Sequence, residues 1–259
     1  MSNIISSKEI ILFIKSIPIG MANTLPGVSG GTIALVVGIY QKLLEAVKKF
    51  RFKTLILVGS GMALGIYVGA SFISEFYTAK PLLTAYFLFG LVLTSARTTY
   101  KNIGSLKFLN LFFIVAGLIT ALYFSAGSST LFLSSSRYIL FFVGGFFGSI
   151  AMVLPGISGG TLLILIGLYQ PLLNAVNSLD FLLIGIYLTG VVSGLISFAW
   201  AFSFLLNKFR ANIMSLLTGL IIGSSAAVFP EQFVLEGVIY FIFAVALIIL
   251  LEVSAKKFN

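Results

Sequence analysis

The chain has 259 residues, 59% of them hydrophobic and only 9% charged, with a mean hydropathy of +1.14. A soluble core of that length cannot bury so much apolar surface, so the class is integral membrane protein. The formal charge of +9 does not make it a nucleic-acid binder, because the cations sit in short loops between apolar runs and read as membrane topology.

Residues 10–24 are apolar apart from Lys15 and a few small polar residues. As a helix these roughly 15 residues reach about 22 Å, short of the ~30 Å hydrocarbon core. No cleavable signal is expected, since Lys15 interrupts the run and no small-residue cleavage site follows. Next comes Leu25-Pro26-Gly27-Val28-Ser29-Gly30-Gly31-Thr32, and then an arm over 31–47 that turns charged at Lys42 and Glu45. Two short arms around a Pro/Gly turn predict a re-entrant hairpin; the alternative is two spanning helices with a tight external turn. A basic loop, 48–53, leads to a span over 54–76 with Gly59, Gly61, Gly65 and Gly69 for close packing. Lys80-Pro81 breaks the chain before a span over 82–96 that ends at Arg97. A polar loop with Lys101 and Lys107 precedes a span over 108–125, and a Ser-rich connector runs from 125 to 136.

The second half repeats this plan. An arm over 138–153 precedes Leu154-Pro155-Gly156-Ile157-Ser158-Gly159-Gly160-Thr161, an arm over 160–176, and spans over 181–206, 211–229 and 238–251. At a fixed offset of 129, 15 of the 26 positions in 22–47 are identical to 151–176. Gly61/Gly190, Gly65/Gly194 and Gly90/Gly219 extend the register without a gap. The expected fold is therefore an all-α single membrane domain of two repeats, 1–127 and 128–259, each a re-entrant hairpin plus three transmembrane helices. Three crossings per half, or five if the hairpin arms span, are both odd, so the second repeat starts on the opposite face. The repeats are then of inverted topology.

Charge tests the orientation independently. One face receives the termini, the 42–53 and 97–107 loops, Lys208 and Arg210, which together hold 14 of the 16 cations. Only Lys80 and Arg137 fall on the other. The positive-inside rule makes the first face cytoplasmic, with both termini on it.

Gly-rich backbone is tolerated at membrane depth only where it lines a cavity. Pro26 and Pro155 stop the incoming arms, and Gly27 and Gly156 supply the turns. Ser29, Gly30, Gly31 and Thr32, like Ser158, Gly159, Gly160 and Thr161, then open the outgoing helices. Unpaired N–H groups and the positive helix end favour an anion there, and the hydroxyls can donate. The bland alternative is that Ser and Thr cap helices and Gly only permits packing. Two copies in apolar surroundings favour a site.

An enzyme is not expected. Gly27-x-Ser29-Gly30 matches the Gly-x-Ser-Gly of intramembrane serine proteases, but the chain has no His to act as base. Cys is absent too, and no carboxylate pair or His/Cys cluster points to a metal or a cofactor. Tyr40-Gln41 and Tyr169-Gln170 read as interfacial anchors rather than headgroup ligands. Arg137, the counterpart of Lys8, lies at a hairpin mouth and either collects anions or is ordinary interface charge. Arg97 either faces a central cavity or follows the positive-inside rule. Glu75, Asp180, Glu231 and Glu236 lie near membrane boundaries, where solvated loop charge is the plainer reading than proton carriage.

The chain resembles the PopT-like family of bacterial polyprenyl-phosphate transporters. The resemblance rests on Ala22-Asn23-Thr24 followed by Leu25 to Thr32, and on Met152-Val153 followed by Leu154 to Thr161, and it covers nearly the whole length. It implies a flippase in the bacterial cell membrane that returns undecaprenyl phosphate from the outer to the cytoplasmic leaflet. The expected partners are that lipid phosphate and the surrounding membrane lipids; no oligomeric state follows. The phosphate is expected at the two loops, with Arg97 or Arg137 neutralising charge and the prenyl chain left in lipid. Within these stretches Asn23-Thr24 stands against Met152-Val153, and the polar pair predicts an asymmetric pocket. Composition and spacing by themselves give an anion transporter, so a carrier or channel for a small soluble anion is the rival reading.

Overall fold

The computed structural model describes residues 6–24, 29–125, 136–157, 159, 162–163 and 166–257. Among these the regular structure is helical throughout. Helix α1 (Ser7–Asn23) begins where the Ser6 N–H donates to the Glu9 carboxylate at 2.9 Å, satisfying a helix-end donor. Lys53 Nζ reaches the same carboxylate at 2.7 Å and ties this end to the start of α4 (Phe52–Ala79).

Between them lie α2 (Gly30–Val36) and α3 (Tyr40–Lys48). The sequence reads 31–47 as one arm, but the structure bends it by 115° between the two helices. The cause is Gly38, which adopts φ 77°, a left-handed conformation that glycine takes without steric cost. Helix α2 is almost wholly buried, whereas α3 buries Tyr40, Leu44 and Ala46 and exposes Gln41, Lys42 and Glu45.

Helices α5 (Pro81–Tyr100) and α6 (Phe108–Ser125) complete the first half. The second half comprises α7 (Arg137–Val153), α8 (Tyr169–Asn177), α9 (Phe181–Lys208), α10 (Arg210–Ser224) and α11 (Leu235–Lys257). A 3-10 turn, Ser225–Val228, extends α10. The bounds of α3 and α4, moved by 129, become 169–177 and 181–208, the bounds of α8 and α9. Gly167, at φ 73°, repeats the left-handed turn of Gly38. The repeat boundary expected at 127/128 lies outside the described residues.

Glycines set the helix crossings. A Cβ on Gly61 or Gly65 of α4 would collide with the carbonyls of Phe13 and Ile17 in α1. One on Gly190 or Gly194 of α9 would meet those of Phe142 and Phe146 in α7. All four partners recur at the same offset, so the two halves use one crossing. Without a Cβ the backbones touch, which is how small residues hold helices together where apolar burial gives no driving force. Helix α5 packs on α11, α6 on α10, and α5 against α10, with α10 the most enclosed span.

Among the described residues five helices are long and apolar enough to cross a membrane: 52–69 within α4, α5, α9, α10 with its 3-10 turn, and α11. Counting the bent α2–α3 pair as one span gives six. Helix α6, expected as a full span, has 18 residues, about 27 Å against a ~30 Å core.

Candidate functional site

The two copies of the motif meet. Ser29 stands just before α2 and is 7% exposed. Its hydroxyl does not cap its own helix; it donates to the Leu154 carbonyl of the other copy at 3.2 Å. Thr32, 2% exposed, accepts the Gly156 N–H on Oγ1 at 3.2 Å. Between these bonds, Gly31 faces the backbone of Val153 and Pro155, where a Cβ would overlap the Val153 carbonyl. Gly156 takes φ +85° and lies against the Leu220–Ile221 peptide of α10, leaving no room for a side chain. Glycine is required there twice over, by conformation and by space.

The first copy is braced from within. Asn23 Oδ1 accepts the Gly30 N–H at 3.1 Å, so a side chain from the end of α1 satisfies the first donor of α2. The equivalent pair in the second copy is Met152 and Gly159; a Cβ on Gly159 would meet the Met152 Cβ, and a methionine side chain has no amide oxygen to offer. The sequence difference between Asn23 and Met152 thus shows as a polar cap in the first copy. Thr24 contributes less: its hydroxyl donates to the Met21 carbonyl of its own helix at 2.7 Å.

A cavity of about 330 Å³ opens beside the junction. Asn23, Ser29, Gly30, Ile157 and Gly159 line it from the two motifs. Ser149 of α7 and Tyr187 of α9 add polar wall, while Val191 and Leu195, one and two turns along α9 from Tyr187, add apolar wall. That volume falls within the range of small-ligand sites, and hydroxyl and amide groups converging in an apolar surround suit an anionic group attached to an apolar body. The expected ligands Pro26, Gly27, Ser158, Gly160 and Thr161 lie outside the described residues.

The two arginines stand elsewhere. Arg137 is the first residue of α7, about 25 Å along that helix from Leu154, with its guanidinium 6.0 Å from the Phe141 ring centroid. It does not stand at the junction. Arg97, in the last turn of α5, lies 3.5 Å from the Glu252 carboxylate of α11, which also takes Lys101 Nζ at 2.6 Å. Glu252 has no role in the sequence reading. The available signal is one acid closing an apolar run, opposite a loop that carries two cations.

Tyr40 departs from the sequence reading most clearly. Expected as an interfacial anchor, it is 2% exposed, with its ring edge-on to Phe202 of α9 at 6.0 Å. Its repeat counterpart Tyr169 is 43% exposed. No pattern local to Tyr40 shows that α9 covers it.

Comparison with known proteins follows the same lines. Residues 19–58 and 49–240 match a family described as VCA0040-like, undecaprenyl phosphate translocase-like. A polyprenyl-phosphate transporter of Vibrio cholerae is 35% identical over 238 residues, covering 84% of this chain and 77% of that protein. A polyprenyl-phosphate transporter of Staphylococcus aureus is 28% identical over 249 residues, covering 85% and 86%. No solved structure matches the chain.

Proposed function

Because the chain belongs to the undecaprenyl phosphate translocase-like family, we propose that it is a flippase that returns undecaprenyl phosphate from the outer to the cytoplasmic leaflet. It is a multi-pass membrane protein, and its two relatives are named polyprenyl-phosphate transporters. The observation that carries the reading is the pair of bonds joining the motif copies, Ser29 to Leu154 and Gly156 to Thr32.

Those bonds define a substitution. A phosphate entering the junction replaces the Leu154 carbonyl as acceptor for the Ser29 hydroxyl. It also replaces Thr32 Oγ1 as acceptor for the Gly156 N–H, and the Thr32 O–H, which that bond does not use, donates to the phosphate. Each donor exchanges a neutral acceptor for a charged one, a stronger hydrogen bond. The prenyl chain stays in lipid against the apolar wall of the cavity, and the phosphomonoester leaves chemically unchanged.

The two halves are read as inverted repeats, 1–127 and 128–259, each with a re-entrant hairpin. The recurring helix bounds and the duplicated glycine crossing support this. Rocking of one half against the other then exposes the junction to each leaflet in turn. The 14-to-2 division of cations supports a reading with both termini in the cytoplasm of a bacterial cell, Arg137 towards the outer face and Arg97 towards the inner.

Leaflet-resolved transport of undecaprenyl phosphate in proteoliposomes tests the reading, with orthophosphate flux measured in parallel and Ser29→Ala and Ser158→Ala made singly. The native protein is expected to redistribute the lipid unchanged, and each variant to slow it. No redistribution by the native protein overturns the assignment, and orthophosphate flux in its place selects a small-anion carrier.

A further inference from the structure

A second cavity, of about 350 Å³, lies at the other end of α2, where the chain bends at Gly38. Its wall brings together Tyr40 of α3, Thr98 and Lys101 from the end of α5, Arg210 from the start of α10, and Glu252 of α11. The hydroxyls of Tyr40 and Thr98 are both buried without a hydrogen-bond partner. A buried hydroxyl left unbonded costs about 1–3 kcal/mol, so each one calls for an explanation. Two in the wall of one cavity mark a place where a bound group completes their bonding.

The charges nearby say what kind of group. Arg97 and Lys101 share the single carboxylate of Glu252, and Arg210 donates to the neutral Asn102 side chain at 3.0 Å. Three cations against one acid leave an excess of positive charge beside the two hydroxyls.

The other half of the chain supplies a control. At the offset of 129, Thr98 corresponds to Ala227, Arg210 to Pro81, Lys101 to Pro230, Asn102 to Glu231 and Glu252 to Tyr123. A cavity of about 420 Å³ is lined by three of these counterpart positions, Pro81, Ala227 and Glu231. At these positions the other half carries neither the two cations nor the hydroxyl. Those groups therefore belong to one end only, and they point to a ligand bound there.

We propose that this cavity is a phosphomonoester-binding station, in which a phosphate bonds Arg210, Lys101, Tyr40 and Thr98 and displaces the Glu252 carboxylate from Lys101. The station rests on the reading of the substrate as a prenyl phosphate and gives it a place to pause at the cation-rich end. A lipid headgroup and free orthophosphate offer the same chemistry, so both serve as probes.

The test is calorimetric titration of the full-length protein in detergent with orthophosphate and with geranyl phosphate. Tyr40→Phe combined with Thr98→Val, and separately Arg210→Gln, are expected to weaken one binding step by about tenfold, the loss of charge-assisted bonds. Ser29→Ala acts on the other step. The double variant is expected to unfold no earlier than the native protein, since it deletes only unbonded hydroxyls. Glu252→Gln is expected to tighten the station, because no carboxylate then has to be displaced. Affinities unchanged in the double variant and in Arg210→Gln overturn the station, even if the native protein moves prenyl phosphate between leaflets. Loss of orthophosphate binding in those variants, in a protein that moves no prenyl phosphate, supports the station, assigns it to the free anion and removes the lipid reading.

Discussion

The Gly156 N–H donates to Thr32 Oγ1 at 3.2 Å, so two residues 124 positions apart share one bond where the motif copies meet. Thr32→Val keeps the shape of the side chain and removes the acceptor, stranding a buried N–H. The expected cost is about 1–3 kcal/mol, read as a lowered thermal midpoint in detergent. Thr32→Ser restores the acceptor and most of that loss. Equal midpoints for the Val variant and the native protein would show that the bond contributes nothing.

Gly31→Ala places a methyl against the Val153 carbonyl and pushes the two loops apart. Overpacking of this kind costs about 1–3 kcal/mol, and transport is expected to fall with it. Gly59→Ala is the control. A Cβ there meets nothing within 4 Å, so stability and transport are expected to hold. A Gly31→Ala protein as stable and as active as Gly59→Ala contradicts the contact between copies.

Asn23→Asp separates structure from charge. The carboxylate still accepts the Gly30 N–H, so the cap on α2 survives. It also places a negative charge in the wall of the cavity proposed to receive the phosphate. Transport is expected to be lost with the thermal midpoint little changed. Asn23→Met, which copies Met152, removes the cap and is expected to cost about 0.5–2 kcal/mol. Native transport rates in Asn23→Asp would take the anion out of this cavity.

Gly167→Ala tests the second bend. No neighbour lies within 4 Å of a Cβ there, so the only penalty is the left-handed backbone at φ +73°. That penalty is about 1–2 kcal/mol for an L-residue. A neutral substitution would mean that the turn after 166 does not need the conformation it adopts.

The duplication was legible because identical residues recur at a constant spacing, and the packing glycines recur with it. Meeting of the loops was inferable from two polar, glycine-rich turns in apolar surroundings, though not which atoms bond. The bend at Gly38 was hidden, because apolar residues run on through Val37 and Ile39 and a lone glycine inside a helical pattern is ambiguous. Arg97 with Glu252, and Tyr40 under Phe202, join residues far apart in the chain; each has a sufficient local explanation that tertiary packing overrides.

The central claim is that the two loops touch and that the phosphate comes between them. The chain has no cysteine, so Ser29→Cys with Leu154→Cys gives a clean reporter. Cross-linking by a short bifunctional thiol reagent, which spans the distance between side chains whose contact runs through a backbone carbonyl, is measured in membranes with and without added undecaprenyl phosphate. The account predicts a cross-link in substrate-free protein whose rate falls as the lipid phosphate occupies the junction. A pair that never cross-links, or that cross-links at the same rate at every lipid concentration, contradicts it.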